Sequence, residues 1–202
     1  LRDTVDRDDV VVARDHVGQV RVVHRAARGE GVAVEEVVLA ARAGGEQDSL
    51  ALAALFPSWE GYSPGMARQF QDNAADSGLV RILLRADGHA MDAATRLARI
   101  YRAWLIAPEG VEGLFGLRQY SFAGNSGYEK SDLFVGGNGD KLLLMLCERP
   151  AANLPSPNCQ ATDRPLAKGA SYSFRFKRAY LSRWREVSSG VDALIARFRK
   201  AG

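Results

Sequence analysis

Two cysteines, three methionines and three histidines in 202 residues leave little material for metal or redox chemistry. A metal centre built on Cys147 and Cys159 would need further ligands, and His16, His24 and His89 have no useful ligand spacing. No metal and no cofactor are therefore expected. Long apolar runs are also missing: the longest, Leu50 to Phe56, is far below the roughly 20 residues that cross a bilayer as a helix. Neither glycine cluster, Gly124-Asn125-Ser126-Gly127 nor Gly136-Gly137-Asn138-Gly139-Asp140, precedes a helix with a Lys-Ser/Thr pair, so a phosphate-cradling loop is not supported. The first cluster also lacks the closing glycine of a hydrolase nucleophile elbow, since Tyr128 stands there. Glu35 with Glu36 and Glu109 with Glu112 sit in surface-like contexts and read as solubilising rather than catalytic.

Residues 1–47 contain no aromatic residue, and all 17 aromatics lie at Phe56 or later. This N-terminal segment can add aliphatic strands but cannot nucleate a core with large rings, so residues 48–202 are expected to form a single α+β domain. Lysine is scarce, 5 against 22 arginines, and charge is unevenly spread. Residues 141–202 hold 12 basic and 4 acidic side chains, a net +8, whereas residues 1–140 hold 15 and 20, a net −5. A basic C-terminal part suits an anionic partner, although a solvated basic face is the commoner meaning of such a bias.

Valines at 10–12 and 17–23 favour strands by β-branching, and 32–39 suits a strand or a short helix, with breaks at Arg28-Gly29-Glu30-Gly31 and Gly44-Gly45. A strand is expected over 48–56. Phe56-Pro57-Ser58-Trp59-Glu60-Gly61-Tyr62-Ser63 is a turn-rich aromatic loop, and Ser63-Pro64 opens a helix to about Ala75. Leu79 to Arg85 reads as a strand ending in an Asp87-Gly88 turn. After the cap Asp92, Ala94, Leu97, Ala98, Tyr101, Trp104 and Leu105 recur at helical spacing, which leaves Arg96, Arg99 and Arg102 on a solvated outer face. Strands at 117–122, 132–135 and 141–148 follow, joined by glycine-rich hairpin turns. A short strand is expected at 160–162, with turns at Arg164-Pro165 and Lys168-Gly169.

Tyr172, Phe174 and Phe176 alternate with Ser173, Arg175 and Lys177, the period of a strand with one buried and one wet face. Ser182 then caps a helix whose stripe is Trp184, Val187, Val191, Leu194, Ile195 and Phe198. Burying six such side chains gives on the order of 10 kcal/mol before entropy is charged against it. The whole reads as an antiparallel sheet packed by two or three helices, the amphipathic C-terminal one lying over the strand at 172–176.

Cys147 ends one strand and Cys159 begins another, with three prolines in the irregular loop between them. Free core thiols and half of a metal site are the rival readings, and a disulfide is preferred because it fixes both strand ends. A disulfide implies an oxidising compartment such as the bacterial periplasm. Leucine at position 1 suggests a processed chain from which an upstream signal or anchor has been removed.

The aromatic loop at 56–63, the segment 172–195 and the Cys147/Cys159 pair together resemble extracytoplasmic domains of uncharacterised proteobacterial proteins with an N-terminal membrane anchor, over residues of about 48–200. The resemblance implies periplasmic placement and tethering to the inner membrane through an upstream segment. It implies no activity and no functional residue. The function expected is a non-catalytic interaction domain whose partner is an envelope protein or an anionic membrane surface, not nucleic acid. Candidate contacts are Phe56, Trp59 and Tyr62 on the loop and Arg175, Lys177, Arg183 and Arg185 on the basic part. The alternative is an envelope hydrolase or small-ligand binder with Glu60, Asp87 and His89 lining a pocket between sheet and helices.

Overall fold

The computed structural model describes residues 10–14, 20–24, 37–39, 49–86, 90–166 and 169–200, with side chains from Ser49 onward apart from 163 and 198–200. Near the N-terminus, β1 (Val10–Arg14), β2 (Val20–His24) and β3 (Val37–Leu39) form a small antiparallel sheet in that order. The expected turns at 28–31, 44–45 and 87–88 lie outside the described residues, as do Lys168 and the side chain of Phe198.

Eight further strands make the main sheet. They are β4 (Ser49–Leu55), β5 (Leu79–Arg85), β6 (Val111–Glu112), β7 (Arg118–Ser121), β8 (Ser131–Gly136), β9 (Leu143–Glu148), β10 (Asn158–Pro165) and β11 (Ser171–Lys177). The order is β4-β5-β11-β10-β9-β8-β7-β6, and every pairing is antiparallel. Three helices join the sheet, α1 (Ala67–Gln71), α2 (Ala93–Arg96) and α3 (Trp184–Lys200). The fold is α+β.

Alternation along the strands builds a core on each face. On the front, Leu52, Ile82, Phe174, Phe176, Met145 and Phe134 meet Trp184, Val187, Val191 and Ile195 of α3. That helix lies over β11 as its stripe requires, and the Tyr172 hydroxyl donates to Asp192 of α3. On the back, Tyr120, Phe122, Leu133 and Leu144 pack against Tyr101 and Leu105. The sheet centre is thus buried on both sides, whereas the back of β4, β5 and β11 is not covered by this second core.

Four local expectations are corrected. The helix after Pro64 is a 3₁₀ turn, Pro64–Met66, followed only by α1, and the Ser63 hydroxyl makes no capping bond. Ser182 does not cap α3, because it lies inside a 3₁₀ run, Arg178–Arg183, that leads into the helix. Arg164 and Pro165 continue β10 across a bulge instead of turning. Asp92 does cap α2, accepting from the Thr95 amide at 2.9 Å, but α2 passes into a π-helical turn at Leu97–Tyr101 and a 3₁₀ turn at Arg102–Trp104. The wider turn re-aims the stripe: Ala93, Leu97, Tyr101 and Leu105, spaced by fours, face the core, and Ala94, Ala98 and Trp104 are exposed.

Candidate functional site

The candidate contacts from the sequence fall into different environments. Phe56 is core, not surface: its ring is edge-on to Trp59 and Tyr180, and Arg183 lies over it at 4.4 Å. Trp59 packs against Gly190 of α3, where even a single added methyl would strike the indole. Tyr62 sits edge-on to Phe70. These contacts pin the aromatic loop to the body of the protein. Arg183 is ion-paired with Glu186 at 2.6 Å, and Arg185 stacks on Trp184 while donating to the Phe115 carbonyl at 3.1 Å. Glu60 is exposed and accepts from the Ser58 hydroxyl at 3.1 Å; Asp87 and His89 lie outside the described residues.

Cys147 and Cys159 are register partners on β9 and β10, both fully buried and joined by a disulfide. Beside them Asp132, the β8 partner of Cys147, accepts from Arg149 and Arg178 at 2.8 Å each. Arg178 also donates to the Glu148 carbonyl at 2.8 Å and lies over the Phe134 ring. Covalent bond and ion cluster together hold β8, β9, β10 and the approach to α3 in one register.

Among the described residues two surfaces stand out. One is an apolar strip along the outer edge of β7. Trp104 and Ile106 lie beside Ser121–Ala123, through the Ala123 amide to the Trp104 carbonyl and the Ile106 amide to the Ser121 carbonyl. Val111 pairs with Gln119, and Leu114 with Phe115 forms the turn into β7. Leu114 is 74% exposed, Ile106 68%, Val111 59% and Phe115 46%. The exposed Arg99 and Arg102, without partners among the described residues, lie on the adjoining helix. Hollows of about 360 and 550 Å³ flank the turn, one lined by Phe134, Arg178 and Leu181, the other by Leu97, Tyr120 and Leu142.

The turn itself is unusual. Phe115 has φ +62° and ψ +24° and Gly116 has φ +67°, and the Leu117 amide bonds the Leu114 carbonyl at 3.2 Å. Two successive left-handed residues are the requirement of a type I′ hairpin turn, whose first position favours Asn or Gly. A phenylalanine there costs roughly 1–2 kcal/mol of backbone energy. Its carbonyl is nevertheless gripped twice, by Trp184 Nε1 at 3.2 Å and by Arg185. The tip is held rigidly with its two apolar side chains outward.

The second surface is the open half of the back face. Here Arg175 is exposed as the alternation predicts, but its neighbours on the same face are not wet: Ser173 is 4% and Lys177 3% exposed. Lys177 Nζ donates to Asn73 at 2.6 Å. Burial first, then the nearby Arg81 charge, hold its ammonium below the ordinary lysine range. Arg81 leaves no signal along the chain, because the register that sets it opposite Arg175 joins strands far apart in sequence.

Among the described residues no group of His, Cys, Asp and Glu side chains is placed to hold a metal ion, and no helix is long and apolar enough to cross a membrane.

No protein-family model and no curated protein matches the chain. Among solved structures, the fold is similar to that of Smlt3025, described as an immunity protein of the Stenotrophomonas maltophilia type IV secretion system. The likeness covers 93% of this chain and 98% of that one, with a TM-score of 0.50 and 14% sequence identity. It is a likeness of fold.

Proposed function

We propose that this chain is a non-catalytic interaction domain of a bacterial envelope protein, working in the periplasm by holding a protein partner on the strip formed by Trp104, Ile106, Val111, Leu114 and Phe115. The observation that carries the reading is the Leu114-Phe115 tip. Exposed apolar side chains scattered singly mean little, but a row of them along one edge marks a contact surface. A bulky residue kept in a backbone conformation suited to Asn or Gly is strain of the kind that collects at working sites. The disulfide supports an oxidising compartment. Tethering to the inner membrane through an upstream segment is the arrangement that the resemblance to anchored extracytoplasmic domains implies.

Immunity against a secreted effector is the specific form of this function that the shared fold favours. Recipient cells lacking the chain, challenged by donors carrying the matching type IV secretion system, should regain survival when the chain is supplied to their periplasm. Leu114→Asp should remove that protection while leaving the protein folded, since Leu114 is 74% exposed. No rescue would sink the immunity reading, and equal rescue by the variant would sink the strip as its contact surface.

A further inference from the structure

The register of the main sheet sets four back-face residues in a row across its open half: Ala53 on β4, Arg81 on β5, Arg175 on β11 and Gln160 on β10. The parallel row two residues along each strand is Ala51, Leu83 and Ser173. These residues line an open groove of about 410 Å³ that contains no carboxylate. Like charges directly opposite one another on neighbouring strands repel and destabilise the pair. Here Arg175 finds only the Gln160 carbonyl oxygen, at 3.2 Å, and Arg81 has no partner among the described residues. Lys177, two residues beyond Arg175 on the same strand, adds a third cation that feels both arginines. Glu148 and Asp72 act on Lys177 from outside the groove and leave the arginine pair uncompensated.

We propose that this groove is a second binding site, independent of the apolar strip, which takes an acidic segment of a protein partner. One carboxylate bridges Arg81 and Arg175, and an apolar neighbour rests on Ala51 and Leu83. Two opposed guanidinium groups match the planar, two-oxygen geometry of a carboxylate. The two rows are two residues apart along the strands, about 7 Å, so an extended segment meets them with an acidic and an apolar residue separated by one position. Small-molecule sites enclose most of their ligand. This groove is open and shallow, which suits side chains carried by a larger molecule.

The test is an NMR titration of the whole chain with the peptide acetyl-Gly-Leu-Ser-Glu-Ser-Leu-Gly-amide and its Gln counterpart. Saturable shifts confined to β4, β5, β11 and β10 are expected with the Glu peptide. Binding should weaken about tenfold with the Gln peptide or with Arg81→Gln/Arg175→Gln, the size of one charge-assisted hydrogen bond. The double variant should melt no lower than the parent, because it loses a repulsion, and this serves as its folding control. Leu114→Asp should leave the titration unchanged, which separates this site from the strip. Equal binding of the Gln peptide, or full binding by a folded double variant, overturns the proposal. Inorganic phosphate or phosphatidylglycerol vesicles reproducing the same shifts at equal or higher affinity also overturn it, in favour of a general anion or lipid site.

Discussion

At the scale of single residues, Phe115 combines a costly backbone conformation with a ring that is only half-buried. Its left-handed backbone costs roughly 1–2 kcal/mol, and its half-buried ring returns about 1 kcal/mol of contact. Phe115→Asn keeps the carbonyl that Trp184 and Arg185 grip and relieves the backbone. Urea denaturation should therefore find its stability within about 1 kcal/mol of the parent. A loss of several kcal/mol would mean that the ring serves the fold and not a partner. Gly190 and Trp59 illustrate the opposite case: a contact between the aromatic loop and α3 so close that it allows no side chain at all. Phe56, Trp59 and Tyr62 have the composition of a binding loop, but Phe56 and Trp59 are spent on each other, on Tyr180 and on α3, and Tyr62 on Phe70 of α1. Composition alone does not separate the two uses.

At the scale of elements, the disulfide and the Asp132 cluster act on the same strands, β8 to β10. Opening the bond by Cys147→Ser/Cys159→Ser frees a loop closed over a sequence separation of 12 and should cost about 3 kcal/mol. Denaturant titration of oxidised parent and variant measures it, and equal midpoints would show that the ion cluster alone keeps the register. The strands and the last helix were legible in the sequence because their periods are local: Tyr172, Phe174 and Phe176 by twos, and Trp184 to Ile195 by threes and fours. The segment after Asp92 was legible in its cap and in Leu97, Tyr101 and Leu105, which do face the core. A π-helical turn, with no marker residue, swung Trp104 outward and made it part of the apolar strip. β6, two residues long, gave no periodic signal at all. Arg81 opposite Arg175 depended on pairing between distant strands, which no window along the chain contains.

At the scale of the whole molecule, the two surfaces lie toward opposite ends of the sheet, the groove on β4, β5, β11 and β10 and the strip at β6 and β7. The fold divides its labour accordingly. Front-face packing under α3, the disulfide and the Asp132 cluster make a stiff slab, and the rim and the open back half present side chains that the slab does not need. On the proposed function the strip, and not the basic face as a whole, holds the envelope or effector protein. Site-specific photo-cross-linking in intact cells tests it most directly, with a photoreactive residue at position 104, 111 or 114 and a control at the exposed position 68. All three strip positions should give an adduct with one and the same envelope or incoming protein, and position 68 should give none. Adducts of equal yield and identity at position 68, or no adduct at any strip position while the groove of Arg81 and Arg175 gives one, would contradict it.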